Sequence, residues 1–280
     1  MRGFGEVDFW TAADGARLAL RREPERGARR AAIIILPGFG DHSGRYAPVA
    51  GWLAERGVAV FALDQRGQGS TPGPRGHVAR FSQFLSDVAA LRKLVQSEAP
   101  GPQLLLGHSF GGLVVMRYLE TAPQGLAGAI LSSPFVDVAM HVPRWKTMLG
   151  RALADLLPSF PVRIGVRYQD ICRDPAVGEA VKADPLCHDV MSPRAYRETM
   201  EAQAALGGER GRISVPLLFV LAGDDRIVST PAALGFAAAL SGDVTVKVYE
   251  GFYHEVLKEP ERGRVLADLE PWLARIVPAA

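Results

Sequence analysis

Gln103-Leu104-Leu105-Leu106-Gly107-His108-Ser109-Phe110-Gly111 passes from an apolar, strand-like run into a pentapeptide that fits G-x-S-x-G. Leu113-Val114-Val115-Met116-Arg117-Tyr118-Leu119 then continues with helical character. A strand that turns this sharply into a helix holds the intervening serine in a strained backbone conformation. Glycines flank it because side chains there would collide with neighbouring backbone. The serine oxygen is left exposed above the sheet. The helix start adds unpaired N–H groups and a positive dipole end, both suited to a negative charge developing on an attacked carbonyl.

A serine alone is a weak nucleophile, so the turn calls for a histidine base and an orienting carboxylate, in the chain order serine, acid, histidine. Val215-Pro216-Leu217-Leu218-Phe219-Val220-Leu221-Ala222 reads as a buried strand ending in Gly223-Asp224-Asp225-Arg226. A carboxylate there lies on the same sheet rim as Ser109. Asp225 is assigned as the acid, with Asp224 in reserve. Val244-Thr245-Val246-Lys247-Val248-Tyr249 is the next strand, and Glu250-Gly251-Phe252-Tyr253-His254-Glu255 follows it, so chain order selects His254 among the six histidines. Backbone donors for an oxyanion are expected from Phe110, after the serine, and from Phe39. The latter lies in the glycine-rich loop that follows the apolar run Ala31-Ala32-Ile33-Ile34-Ile35-Leu36.

With these residues placed, a family resemblance becomes specific. Gly38-Phe39-Gly40-Asp41-His42-Ser43-Gly44-Arg45-Tyr46 resembles the HGxGEHSGRY stretch of monoacylglycerol lipases and related lysophospholipase-like α/β-hydrolases. Asp64-Gln65-Arg66-Gly67-Gln68-Gly69-Ser70 is similar to the family's DxRGHGxS turn, and Tyr249-Glu250-Gly251-Phe252-Tyr253-His254 to its YEGxxH segment. Pro37, Asp41 and Gln68 depart from the family's histidine, glutamate and second histidine. The resemblance implies hydrolysis of a lipid ester, a monoacylglycerol or lysophospholipid, with Ser109, Asp225 and His254 as triad. Two alternatives stand beside it. One is an aminopeptidase resembling proline iminopeptidases, which needs a carboxylate for a free amine, with Glu179, Asp184 and Asp189 as candidates. The other is a non-catalytic binding protein on the same scaffold.

The 280 residues carry a formal net charge of +2, and strands alternate with helices over most of the chain, as expected for one α/β domain. Strands are predicted at about 31–36, 58–63, 103–107, 127–132, 215–222 and 244–249, with helices near 46–56, 82–98, 110–121, 230–240 and 258–275. Asp14-Gly15 between two short alternating runs predicts an N-terminal hairpin. The expected architecture is an α/β-hydrolase fold, a mostly parallel central sheet flanked by helices, with core segments 1–134 and 213–280 and an inserted helical cap at 135–212. Ser192-Pro193 and Thr230-Pro231 read as helix N-caps followed by a first-turn proline.

In the cap, Trp145, Met148, Leu149, Ala152, Leu153, Leu156 and Leu157 recur at helical spacing. The stripe packs the cap, or it lines an acyl channel or touches a lipid surface, and Trp145, Met148, Leu149 and Leu153 are its candidate substrate contacts. The basic cluster Arg21-Arg22, Arg26 and Arg29-Arg30 is broken by Glu23, Pro24 and Glu25 and reads as a solvated connecting loop, so no nucleic-acid partner is expected. Cys172 and Cys187 are the two cysteines and read as reduced packing residues. No phosphate loop, dinucleotide fingerprint or zinc spacing appears, and neither cofactor nor metal is expected. Without an apolar signal core at Met1-Arg2-Gly3-Phe4, the expectation is a soluble cytoplasmic protein.

Overall fold

The central parallel strands of this chain are largely continuous apolar runs because both faces of their sheet are covered. In the computed structural model, which describes residues 4–121, 123–139 and 154–277, β3 (Ala31–Leu36), β4 (Val58–Asp64), β5 (Gln103–His108) and β9 (Leu217–Ala222) are buried at every position. Successive residues point to opposite sides, so Ile34 and Leu36 enter one apolar core while Ile33 and Ile35 enter another.

Eight strands form the sheet in the order β1 (Asp8–Thr11), β2 (Arg17–Glu23), β4, β3, β5, β6 (Leu126–Ser132), β9, β10 (Val244–Tyr249). β1 and β2 form the expected hairpin, and β2 runs antiparallel to β4. From β4 through β3, β5, β6 and β9 to β10, every pairing is parallel. The core that takes in Ile34 includes residues of α2 (Ser82–Glu98) and α3 (Phe110–Leu119). The opposite core includes residues of α1 (Ala47–Ala54) and of the C-terminal helix Arg262–Ile276. The registers Leu36 with Gly107, His108 with Ser132 and Tyr249 with Ala222 align the carboxyl ends along one rim, where ligands of open α/β sheets bind.

Between β6 and β9 the chain leaves the sheet. It forms a two-stranded ribbon, β7 (Val162–Arg163) with β8 (Val190–Met191), and the helices α4 (Pro175–Ala183) and α5 (Pro193–Ala204). Ile171, Cys172 and Val181 form a small apolar cluster of their own, whereas Ala195 and Ala202 of α5 join the main core. Helix α5 of the predicted cap therefore packs as part of the body. Trp145, Met148, Leu149, Ala152 and Leu153 lie outside the described residues. Leu156 and Leu157, at the end of the predicted stripe, are exposed, Leu156 to 77%.

Two local expectations are corrected. Arg21 and Arg22 belong to β2 rather than to a loop, and their charges are engaged. Arg21 donates to the Phe4 and Gly5 carbonyls, while Arg22 pairs with Asp8 and Glu98. Ser192 caps α5 as expected, accepting from Ala195 N–H. The cap of α6 (Thr230–Ala238) is instead Ser229, one residue earlier than read, because the Thr230 hydroxyl donates to the Ala222 carbonyl. Among the described residues, no helix is long and apolar enough to cross a membrane.

Candidate active site

Ser109 sits at φ 52°, ψ −117° at the head of α3. With Ser133 it is one of two non-glycine residues at positive φ among the described residues. Such a conformation costs on the order of 1–3 kcal/mol and persists only where surrounding contacts dictate it. Here Ser109 N–H donates to Ser132 O at 2.9 Å, and Ser109 O accepts from Phe135 N–H at 2.9 Å and Leu113 N–H at 3.2 Å. The turn is tight enough that a Cβ on Gly111 would lie 2.1 Å from Leu36 O.

Asp225 and His254 are hydrogen-bonded to each other. His254 Nδ1–H donates to Asp225 Oδ2 at 2.8 Å, which leaves Nε2 as the basic ring nitrogen. Asp225 Oδ1 accepts from the Ile227 and Val228 amides at 2.9 and 3.0 Å, and its side chain has 0% exposure. Burial alone would raise this carboxyl's pKa, but the charge of His254 and these hydrogen bonds hold it below the usual carboxylate range. Asp224 is exposed and engages Phe252 O only through its backbone N–H, so the histidine's partner is Asp225. Ser109, His254, Phe39 and Phe110 line one cavity, walled further by apolar residues that include Ile164, Val166, Ile171, Met191 and Ile227.

The loop after β3 is fixed from several sides. Gln65 Nε2 donates to Pro37 O at 2.9 Å, so the residue that departs from the family pattern serves as an anchor through its carbonyl. Gly40 N–H donates to Gln68 Oε1 at 2.8 Å, which gives another of the three departing residues its place. Asp64 ties Ser43 N–H to Ser70 N–H, both at 2.7 Å. Gly40 has φ +71°, and a Cβ there would meet His188 O at 2.0 Å, so the insertion closes directly over this loop.

Several ionisable residues near the site receive no role from the sequence reading. His108 lies beside the catalytic candidates, its ring 4.8 Å from that of His254, with Nδ1 at 3.1 Å from Ser132 O. Burial, followed by the charges of His254 and Lys258, lowers its pKa to about 3. Asp41, Arg45, Glu255 and Lys258 form a buried cluster next to it. The signal for this cluster was present as two opposite-charge pairs at i,i+4 and i,i+3 spacing, each beside a site loop.

His42 Nε2, an Asp184 carboxylate oxygen and Cys187 Sγ lie within 4.8 Å of one another, a grouping that the sequence spacing did not disclose. His42 Nδ1 accepts from Gly44 N–H at 3.2 Å, so Nε2 carries the proton that faces Asp184 at 2.9 Å. Burial, with the charge of Asp41, pushes the Cys187 thiol up to about 12. The His42–Asp184 hydrogen bond links the loop after β3 to the insertion, and the Cys187 thiol stays protonated beside it. Cys172 and Cys187 are both free thiols.

Comparison with known proteins gives consistent relatives. The family described as "Serine aminopeptidase, S33" (Hydrolase_4) matches residues 27–261. A monoacylglycerol lipase of Mycolicibacterium smegmatis is 33% identical over 247 residues, covering 87% of this chain and 88% of the relative. Phospholipase YtpA of Bacillus subtilis is 33% identical over 239 residues, covering 83% and 90%. The crystal structure of a Paleococcus ferrophilus monoacylglycerol lipase superposes with a TM-score of 0.83 at 27% identity, covering 92% of this chain and 99% of that one. The chain belongs to this Hydrolase_4 family of α/β-hydrolases, in the company of monoacylglycerol lipases.

Proposed function

We propose that the protein hydrolyses carboxylic esters of lipids, monoacylglycerols or lysophospholipids, by acyl transfer to Ser109 and then to water. The observation that carries this reading is the hydrogen-bonded Asp225–His254 pair, whose histidine lines the same cavity as a serine held on a strained turn. His254 Nε2 takes the Ser109 proton as Oγ attacks the ester carbonyl and returns it to the leaving alcohol. It then activates the water that releases the acid, while Asp225 holds the ring's tautomer and stabilises its cation. The oxyanion is received by the Phe39 and Phe110 amides. No other hydrogen bond among the described residues uses either of them.

The cavity of about 200 Å³ is smaller than the roughly 300–1,000 Å³ of pockets that enclose a drug-sized ligand. A long acyl chain therefore extends beyond it. Ile164 lines the cavity and is 44% exposed, which marks the exit. The segment around it, within the cap at 135–212, exposes Leu156, Leu157, Phe160 and Val162 beside the exposed Arg163 and Arg167. These exposed apolar side chains suit transient contact with a lipid surface while the cap acts as a lid.

An aminopeptidase needs an unshared carboxylate to hold the substrate's amine. Glu179 pairs with Lys182, Asp184 with His42, and Asp189 with Arg163. Of the carboxylates lining the cavity, Asp41 already accepts from His42 N–H, Arg45, Tyr46 and Lys258, which fills its capacity. Glu255 is held in a two-point fork by Arg45. Ester chemistry is favoured on these grounds, although the family description names a peptidase. The test is to compare kcat/KM for a monoacylglycerol, a lysophospholipid and an amino-acyl amide. An ester preference is expected, and faster turnover of the amide would overturn the reading.

A further inference from the structure

The cavity has one polar wall, and its atoms are committed to one another. Arg45 reaches across from the loop after β3 and donates to both oxygens of Glu255 at 2.7 Å, a contact between residues 210 positions apart in the chain. The same guanidinium donates to Asp41 Oδ1 at 2.9 Å. Lys258 Nζ closes the square, at 3.0 Å from Glu255 and 3.3 Å from Asp41. It also lies 4.4 Å from the centre of the Tyr46 ring. All four side chains are largely buried, and their formal charges cancel.

Buried ion pairs of this kind contribute little net stability compared with apolar residues of similar size, because desolvating the charges offsets their attraction. What they fix is geometry. A planar guanidinium forked onto a carboxylate defines both distance and orientation. Glu255 directly follows His254, and Asp41 lies two residues after Phe39, so the fork spans the loop of the proton carrier and the loop of the oxyanion donor. We propose that Glu255 is a positioning residue that acts through Arg45 to hold His254 in register with the Phe39 amide. Burial alone would raise the pKa values of Asp41 and Glu255, but the charges of Lys258 and Arg45 outweigh it and hold both well below the usual carboxylate range. The clamp thus stays charged near neutral pH.

This inference rests on the acyl-transfer reading of Ser109. Its test uses Glu255→Gln and Arg45→Lys, each compared with the wild-type protein. A fluorophosphonate probe titrates competent sites, so that kcat is expressed per reactive serine, and KM, melting temperature and affinity for an alkyl boronic acid are measured alongside. A shift of about 1 Å in a catalytic group can cost on the order of a hundredfold in rate. Glu255→Gln should therefore lower kcat per site by about ten- to a hundredfold while KM changes by less than about twofold. Affinity for the boronate, which mimics the tetrahedral state, should fall in step with kcat. Arg45→Lys keeps every charge but loses the fork and should show the same split. It decides the matter if Glu255→Gln does not fold. Unchanged kcat per titrated site, or a boronate affinity that stays at the wild-type value while kcat falls, would overturn the positioning role. A wild-type protein that neither reacts with the probe nor cleaves esters would overturn the acyl-transfer reading itself, a separate and recognisable failure.

Discussion

Mild acid should destabilise this fold through His108, and the effect can be sized from the residue's surroundings. Burial, aided by the charges of His254 and Lys258, lowers its pKa from 6.5 to about 3 in the folded protein. Between these values the unfolded chain binds a proton that the folded chain does not. The contribution to stability is therefore complete well above pH 6.5 and is lost as the pH falls toward 3. With those two pKa values, the loss amounts to about 0.2 kcal/mol at pH 7 and about 2 kcal/mol at pH 5. Asp41 and Glu255, held low by Lys258 and Arg45, stay ionised in the folded state across this window. The perturbation that isolates the histidine is His108→Asn, whose amide N–H can take the place of Nδ1–H opposite Ser132 O. Urea unfolding of both proteins at pH 7, 6 and 5 gives the comparison. The wild type should lose about 2 kcal/mol more than the variant between pH 7 and pH 5. An equal loss in the two proteins would refute the reasoning, because the acid sensitivity would then arise elsewhere.

Other outcomes follow from the same geometry. Asp225→Asn should slow ester turnover by about ten-thousandfold, by analogy with a serine protease triad, whereas Asp224→Asn should change it only a few-fold, and kcat measured for both variants checks the ranking. Gly111→Ala drives a Cβ to 2.1 Å from Leu36 O and should prevent recovery of folded protein, which circular dichroism of the purified variant would show. Ile164→Ser, at an exposed rim position, should leave the melting temperature nearly unchanged and spare acetyl esters. It should nonetheless lower kcat/KM for long-chain esters, since each methylene withdrawn from apolar contact forfeits about 0.8 kcal/mol. A uniform loss across chain lengths would remove Ile164 from the acyl path.

The parts of the molecule legible in the sequence are those with local causes. β3, β4, β5 and β9 read as strands because burial on both faces makes them continuously apolar. Ser109, Asp225 and His254 could be ordered because each follows a strand that ends at the same rim. The Arg45–Glu255 fork depends on two loops far apart in the chain, and nothing local to either announces the other. Gln68 reads in the sequence only as a departure from a pattern, because its partner, the Gly40 N–H, is 28 residues away in the chain. In the insertion, β7 and β8 are two residues each, too short to leave an alternating pattern. Ala195 and Ala202 of α5 carry no sign in the sequence of whether they face a cap or the main core, and tertiary packing places them in the latter.

The central claim is that Ser109 carries the acyl group, and the most direct measurement is the site of covalent labelling. The protein is treated with a fluorophosphonate, digested and analysed by mass spectrometry, with hydrolysis of a monoacylglycerol followed in parallel. The adduct should fall on the peptide that contains Ser109. Ser109→Ala should abolish it while the fold is kept, with turnover lowered on the order of a millionfold, judged from a serine protease triad. An adduct on another residue, or a Ser109→Ala variant that still hydrolyses the ester at near-normal rate, would contradict the account.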